Sequence, residues 1–384
     1  MKTTVIVGAG AAGLACAKRL RELDHHRKIV IIDKDSDSPY ERPPLSKALV
    51  GPSLSTSGRA DLEAADICLV TAEAKALDTE KRLVETSKFN IHFDELVLAP
   101  GSTPRTASWS NPDVFNVHSL KDNSRLRTAL TTASSALVIG GGFIGAEVAA
   151  SLKKAGLDAK LLFRDEQLFL KRLGPEAASV IEQVHREAGV DLVPNAQVQS
   201  VTATDSQQLV ALENGQNYKA DLVVSGIGSA PDTAWLHMKV GINASGMVTA
   251  DSALRTNRSG IWAAGDSVSW ITPDGISAQS GHWTTAKDQG IHIAEDIVRG
   301  SHSPFIDAPY FWSMQHNNLL QGVGSFDAGA CEREVVIAEG PRTNIFVTYK
   351  RQGALHGAFG LNSPQGVLAV RNELNQPENI ASVA

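Results

Sequence analysis

Short runs of aliphatic residues recur along the chain, each ending in glycine, proline or a lone charge. TTVIV (3–7), KIVII (28–32), ALVI (136–139) and AKLLF (159–163) are continuous rather than alternating. That is the pattern of short strands bounded by turn residues. DELVL (94–98), ADLVV (220–224) and IWAA (261–264) follow the same style. Over GHWTTAKDQGIHIAEDIVRG the period lengthens, and Ala286, Ile291, Ala294 and Ile297 fall on one helical face. Thr284 and Thr285 are the expected caps at its start. Beyond about residue 305, PYFWSMQ and NIFVTYKRQGALHGAFGL read as strands joined by a turn, the makings of a small α+β unit. Phe311 and Trp312 read first as core aromatics there.

Glycine spacing turns these runs into chemistry. After TTVIV come Gly8, Gly10 and Gly13 at G-x-G-x-x-G spacing, then a helical stretch, then a strand ending in Asp33. This is a dinucleotide fingerprint in its full context. The first glycine allows the tight turn, the second lets backbone approach a pyrophosphate, and the third lets helix pack on strand. Asp33 would accept from a ribose hydroxyl. The device repeats after ALVI with Gly140, Gly142 and Gly145, but there the next strand ends in Phe163-Arg164 where an acid would sit. DELVLAPGSTPRT (94–106) and ADLVVSGIGSAPDT (220–233) echo one another, each a strand leading into a Gly/Pro turn after its own fingerprint. Two complete fingerprints imply two different nucleotides. GIWAAGDSVS adds a third signal: a Gly-Asp corner where Asp266 can hydrogen-bond a ligand hydroxyl. It reads as the second contact of a flavin domain interrupted by the other nucleotide domain.

Bulk properties narrow the class. The chain has 384 residues, 42% hydrophobic and 20% charged, with a formal net charge of −6, which argues against a nucleic-acid binder. Three cysteines (Cys16, Cys68, Cys331) without paired spacing exclude a CxxC redox pair or zinc site, so no metal is expected. No apolar run approaches a membrane span. The N-terminus imitates a signal peptide, but cleavage would remove the first fingerprint, so a cytoplasmic protein is expected.

YERPPLSK (40–47) remains to be placed. Pro43-Pro44 is rigid and aims Arg42, Ser46 and Lys47. The simplest expectation is a helix start, with proline in the first turn ahead of LSKAL. Taken in order, YERPPLSK, the paired fingerprints, GGGFIGAE, WAAGDS and FWS resemble the FAD-dependent ferredoxin, putidaredoxin and rubredoxin reductases of bacterial oxygenase systems, whose fold apoptosis-inducing factor shares. The resemblance covers nearly the whole chain. It implies an α/β, glutathione-reductase-like architecture of two Rossmann-like dinucleotide-binding domains plus a small α+β C-terminal domain. FAD would occupy 1–110 with 231–304, NAD(P) 111–230, and a cap or interface domain 305–384. It also implies site residues. Lys34, Arg42, Lys47, Pro100, Gly101, Asp266, Trp283 and Trp312 would join Gly8, Gly10, Gly13 and Asp33 around FAD. Arg42 would approach the phosphates, Lys47 the ring, Asp266 the ribityl chain and Trp283 the pyrimidine end. Phe143, Ile144, Glu147, Arg164 and Gly228 would join Gly140, Gly142 and Gly145 around NAD(P), with Glu147 facing Lys47 as the catalytic pair. The partner would be an iron–sulfur ferredoxin or rubredoxin, with the protein a monomer or homodimer. Lys287, Arg333, Lys350 and Arg351 are candidate docking charges. Phe163-Arg164 departs from the acid that selects NADH in this family, which makes NADPH acceptance the expectation. The alternatives are an NAD(P)H oxidase and an apoptosis-inducing-factor-like nucleotide sensor without a dedicated ferredoxin. The disulfide reductases fit poorly, since Pro43-Pro44-Leu45-Ser46 occupies the stretch where their reactive cysteines lie.

Overall fold

A computed structural model describes residues 1–376 except 53, 55–57, 205, 273, 274, 276, 327–330 and 339–342. The continuous apolar runs become two five-stranded, all-parallel sheets. In the first, Thr3–Val7 lies at the centre, flanked by Lys28–Asp33 and Cys68–Thr71 on one side and by Glu95–Leu98 and Ile261–Ala263 on the other. In the second, Ser135–Ile139 is central, with Asp158–Leu162 and Asp191–Val193 on one side and Leu222–Ser225 and Val114–Phe115 on the other. Two Rossmann-like α/β units thus stand in one chain.

The two fingerprints fold alike because the same steric demands act twice. Gly8 and Gly140 turn the chain with φ of +105° and +123°. A Cβ on Gly13 would lie 1.9 Å from the Gly8 carbonyl oxygen, and one on Gly145 would lie 1.9 Å from that of Gly140. The helices Ala11–Leu23 and Phe143–Lys154 can therefore seat against their strands only at glycine.

The sequence echo meets itself in space. Ser102–Pro104 and Ser229–Pro231, which follow the echoed strands, pair antiparallel where the chain crosses between the two units. The third unit is an antiparallel sheet in the order Tyr310–Gln315, Asn318–Gly324, Ala354–Leu361, Asn344–Arg351, Glu332–Ala338. The helix Pro364–Leu374 covers one face through Val367, Val370 and Leu374. The other face merges with the second unit in one apolar core, where Phe311, Tyr349 and Phe359 pack among Leu161, Leu173 and Ile181.

Two local expectations need correction. Trp283–Arg299 is a helix, but His282 is its N-cap and no side chain caps it. Thr284 and Thr285 lie inside the first turn, with Thr285 buried. The buried stripe is also rotated: Gln289, Gly290 and Ile293 turn inward with Ala286 and Ala294, while Ile291 and Ile297 are half-buried. The cause is Gly290, which lets this helix lie backbone-to-backbone on Ala11–Leu23; a Cβ there would sit 2.1 Å from the Ala12 carbonyl oxygen. No described helix is long and apolar enough to cross a membrane.

Candidate functional site

Both glycine turns open onto one continuous cleft of about 3280 Å³. A site for a single small ligand is about 300–1,000 Å³. Gly10 and Gly142 are the N-caps of the two fingerprint helices, and neither helix has a side-chain cap, so the first-turn N–H groups keep no side-chain partner. An added Cβ on either glycine would meet no atom within 4 Å. Two unclaimed sets of donors at positive helix ends, each with room for backbone approach, form a double anion cradle.

Between the cradles stands the corner. Instead of starting an α-helix, Pro43–Ser46 makes one 3₁₀ turn. The prolines lack N–H groups; Pro44 O accepts from the Lys47 and Ala48 N–H groups, and the other three carbonyls of the corner bond to side chains. Leu45 O accepts from Asn123 Nδ2 at 2.8 Å and Ser46 O from Ser151 Oγ at 2.7 Å. Pro43 O accepts from Lys47 Nζ at 3.0 Å, so the lysine curls back over its own turn. Its ammonium also reaches Glu147 Oε2 at 2.7 Å and lies 5.0 Å from the centre of the Trp312 ring.

Glu147 comes from the second fingerprint helix and is 3% exposed. A buried carboxylate must be compensated, and three donors do this: Lys47 and Ser46 Oγ on Oε2, and Ser313 Oγ on Oε1 at 2.6 Å. The first unit, the second unit and the C-terminal sheet therefore converge on one carboxylate.

Asp33 accepts from the N–H groups of Ala9 and Asp35, tying the glycine turn to the end of its neighbouring strand. Lys34 pairs with Asp232 across the cleft. Arg42 donates to the His118 carbonyl at 2.7 Å. Asp266 accepts from Ser102 Oγ at 3.1 Å. Burial raises the Asp266 carboxyl above its ordinary range, opposed by the Ser102 hydrogen bond and the Arg42 charge. Pro100, Gly101, Trp283, Trp312, Phe143, Ile144, Arg164 and Gly228 line the cleft; Gly13 and Gly145 do not, being packed behind their turns. Of the four docking charges only Lys287 lines it, lying over the Trp283 ring. Arg333 of the C-terminal sheet pairs with Glu176 of the helix Leu170–Glu187, and Lys350 pairs with Glu334 within that sheet.

Sequence reasoning missed several of these groups. Ser102 and Ser313 act on carboxylates 164 and 166 residues away along the chain. Tyr40 donates to Asp35 at 3.1 Å and accepts from the Leu120 N–H. The signal for Tyr40 and Ser313 was their place within the quoted motifs, while Ser46 stood out at the proline corner without a role.

His282 stacks on Phe311 with centroids 5.3 Å apart. Burial, with Arg172 nearby, pushes its pKa down to about 4, and burial does the same to His316, to about 4. In the unfolded chain both titrate near about 6.5. The unfolded state therefore binds more protons between those values, and stability falls as pH drops from about 6.5 towards 4. Melting temperatures at pH 7 and pH 5 test this; the drop should be smaller in His316→Asn.

A family model described as pyridine nucleotide-disulphide oxidoreductase matches residues 2–290. The ferredoxin–NAD(+) reductase component of the p-cumate 2,3-dioxygenase system of Pseudomonas putida is 30% identical, over 98% of this chain and 94% of that one. Apoptosis-inducing factor 3 of Mus musculus is 29% identical over 83% of this chain, which spans only 54% of that protein's length. A solved covalent complex of putidaredoxin reductase with putidaredoxin superposes with a TM-score of 0.88 at 26% identity, covering 99% of this chain and 95% of that one. The family takes its name from a disulphide, whereas all three cysteines here are free. With matched residues spanning both glycine cradles, the chain belongs to the pyridine nucleotide-disulphide oxidoreductase family.

Proposed function

We propose that the protein is an NAD(P)H:ferredoxin oxidoreductase that feeds an oxygenase or cytochrome P450 and holds FAD in the first cradle. The observation that carries this reading is the Lys47–Glu147 pair, set between two uncapped helix N-termini in one cleft. FAD, when bound, supplies hydride acceptance from NAD(P)H and one-electron release to an iron–sulfur protein. The residues present fit it, since the open Gly10 turn, Asp33 and Asp266 offer a phosphate cradle and two hydroxyl acceptors. In this reading residues 1–110 and 231–304 form the FAD unit, 111–230 the coenzyme unit, and 305 onward the cap.

The chain's own residues divide the work. Gly8, Gly10 and the first helix N-terminus bind the pyrophosphate, with Arg42 adding charge. Asp266 takes the ribityl hydroxyls and Trp283 the pyrimidine end. Lys47 places a fixed cation beside the ring, where electron density rises on reduction, and Glu147 holds that cation and orients the nicotinamide carboxamide. The corner keeps both in place with little reorganisation. Likeness to a named ferredoxin–NAD(+) reductase component, and to a reductase solved with putidaredoxin, supports a ferredoxin or rubredoxin as acceptor.

Coenzyme choice rests on the second unit. Phe163 is buried, so the strand end offers no carboxylate to an adenosine 2′-hydroxyl. Arg164 is exposed beside it, and Asp165 is already paired with Lys171. That leaves Arg164 free to meet a 2′-phosphate through charge-assisted hydrogen bonds. NADPH should be accepted, with kcat/KM somewhat above that for NADH; negligible NADPH turnover would refute this.

The test of the reaction itself is direct. The purified protein should be yellow, release FAD rather than FMN on denaturation, and turn over with ferricyanide. Likeness to apoptosis-inducing factor 3 favours a second reading, a nucleotide sensor. A sensor would be reduced slowly and would not cycle.

A further inference from the structure

The Glu147 carboxylate has a rear as well as a front. Ser313, which donates to Oε1, accepts in turn from Gln315 Nε2 at 3.1 Å. Gln315 Oε1 lies 2.9 Å from His185 Nε2, and His185 Nδ1 lies 3.0 Å from His316 Nε2. Ser313, Gln315 and His185 are each no more than 1% exposed, while His316 is half-buried. A continuous hydrogen-bonded file therefore runs from the catalytic pair outward to the turn that follows Tyr310–Gln315.

Its polarity follows from the carboxylate. An ionised Glu147 only accepts, so the single Ser313 proton goes to it, and Ser313 must receive its second bond from an N–H. That fixes the Gln315 amide with nitrogen towards Ser313 and oxygen towards His185. His185 must then carry its proton on Nε2, leaving Nδ1 bare, and His316 must donate from its own Nε2. Every proton in the file points towards Glu147. Burial lowers both imidazoles below the ordinary histidine range, so each is neutral at pH 7 and has one bare nitrogen. The amide in the middle cannot hand on a proton without passing through a high-energy tautomer, so the file orients and does not conduct.

We propose that His185 and His316 are positioning residues of the Lys47–Glu147 pair, holding the Glu147 carboxylate in its orientation through Gln315 and Ser313. The inference rests on the oxidoreductase reading of the cleft. On that reading, the side chains that set the pair extend through His185 of the helix Leu170–Glu187 to the turn after Tyr310–Gln315.

The test uses the FAD-loaded protein with NADPH and NADH, together with ¹⁵N spectra of its histidine rings. Both histidines should be neutral and protonated on Nε2 at pH 7. In His185→Phe the limiting rate of flavin reduction should fall about five- to tenfold, the loss expected when one hydrogen bond supporting a charged group slackens. The coenzyme dissociation constant should stay within about twofold, and His185→Gln, which can both accept and donate, should recover most of the rate. If His185→Phe does not fold, His316→Leu, at the half-buried outer end, should slow reduction about two- to threefold. His185 protonated on Nδ1, or folded variants reduced at the wild-type rate, would overturn the proposal. If the unaltered protein is not reduced at all, the oxidoreductase reading fails instead, and the ring spectra alone decide the file.

Discussion

Lys47→Ala should reduce the rate of flavin reduction by NAD(P)H about 100-fold while FAD stays bound, the size of effect seen when one preorganised charge-stabilising group is removed. The ammonium has three defined contacts, to Pro43 O, Glu147 and the Trp312 ring, so its position is set before any ligand arrives. The substitution also strands Glu147, a buried carboxylate left with two hydroxyl donors. Removing one partner of a fully buried pair costs about 3–5 kcal/mol; here about 2 kcal/mol is expected, because the Lys47 side chain is 23% exposed. The two consequences separate in a double variant. Lys47→Ala with Glu147→Gln should regain most of the stability and none of the rate. Stopped-flow absorbance and thermal unfolding on the same samples read both. An unchanged reduction rate in Lys47→Ala would return the lysine to a structural role.

Gly290→Val should be strongly damaging to the fold. The new Cβ would meet the Ala12 carbonyl oxygen at 2.1 Å and the Cys16 nitrogen at 3.0 Å, both backbone atoms that rotamer changes cannot move. The two helices must separate, opening the core formed by Ala12, Cys16, Ile293 and Ala294. A loss of more than about 3 kcal/mol follows, at the upper end for overpacked cores. Gly10→Ala is the contrasting change. Its Cβ meets nothing within 4 Å, so the apoprotein should melt as before, yet flavin should be lost because the methyl stands where backbone must approach phosphate. Equal melting of Gly290→Val and the unaltered protein would contradict the helix contact.

Much of this architecture is legible in the chain because its signals are local. Each fingerprint is a strand, a turn and a helix within two dozen residues, and short apolar runs give away the strands. The helix Trp283–Arg299 was placed, but its buried face was not. Counting apolar residues favours Ile291 and Ile297, whereas the packing is decided by Gly290, a residue that scores nothing on hydrophobicity and matters only because another backbone touches it. Thr284 and Thr285 were the expected caps, but the cap position falls two residues before Thr284, at His282. The roles of the serines at the Lys47–Glu147 pair were missed for a different reason. A hydroxyl has no charge and no periodicity, and Ser46 and Ser313 acquire a role only when three units of the fold bring them to Glu147.

The short antiparallel pairing of Ser102–Pro104 with Ser229–Pro231 has a mechanical consequence. These are the two strands on which the chain leaves the first unit and returns to it, and they are hydrogen-bonded to each other. They act as a clasp, a backbone ladder that ties the two units together at the cleft. A chimera that transplanted the second unit from a relative would have to import one strand of the clasp while keeping the other, and it would inherit any mismatch as a change in the gap between the two cradles. The workable cut points therefore lie outside the clasp, with both of its strands taken from the same parent.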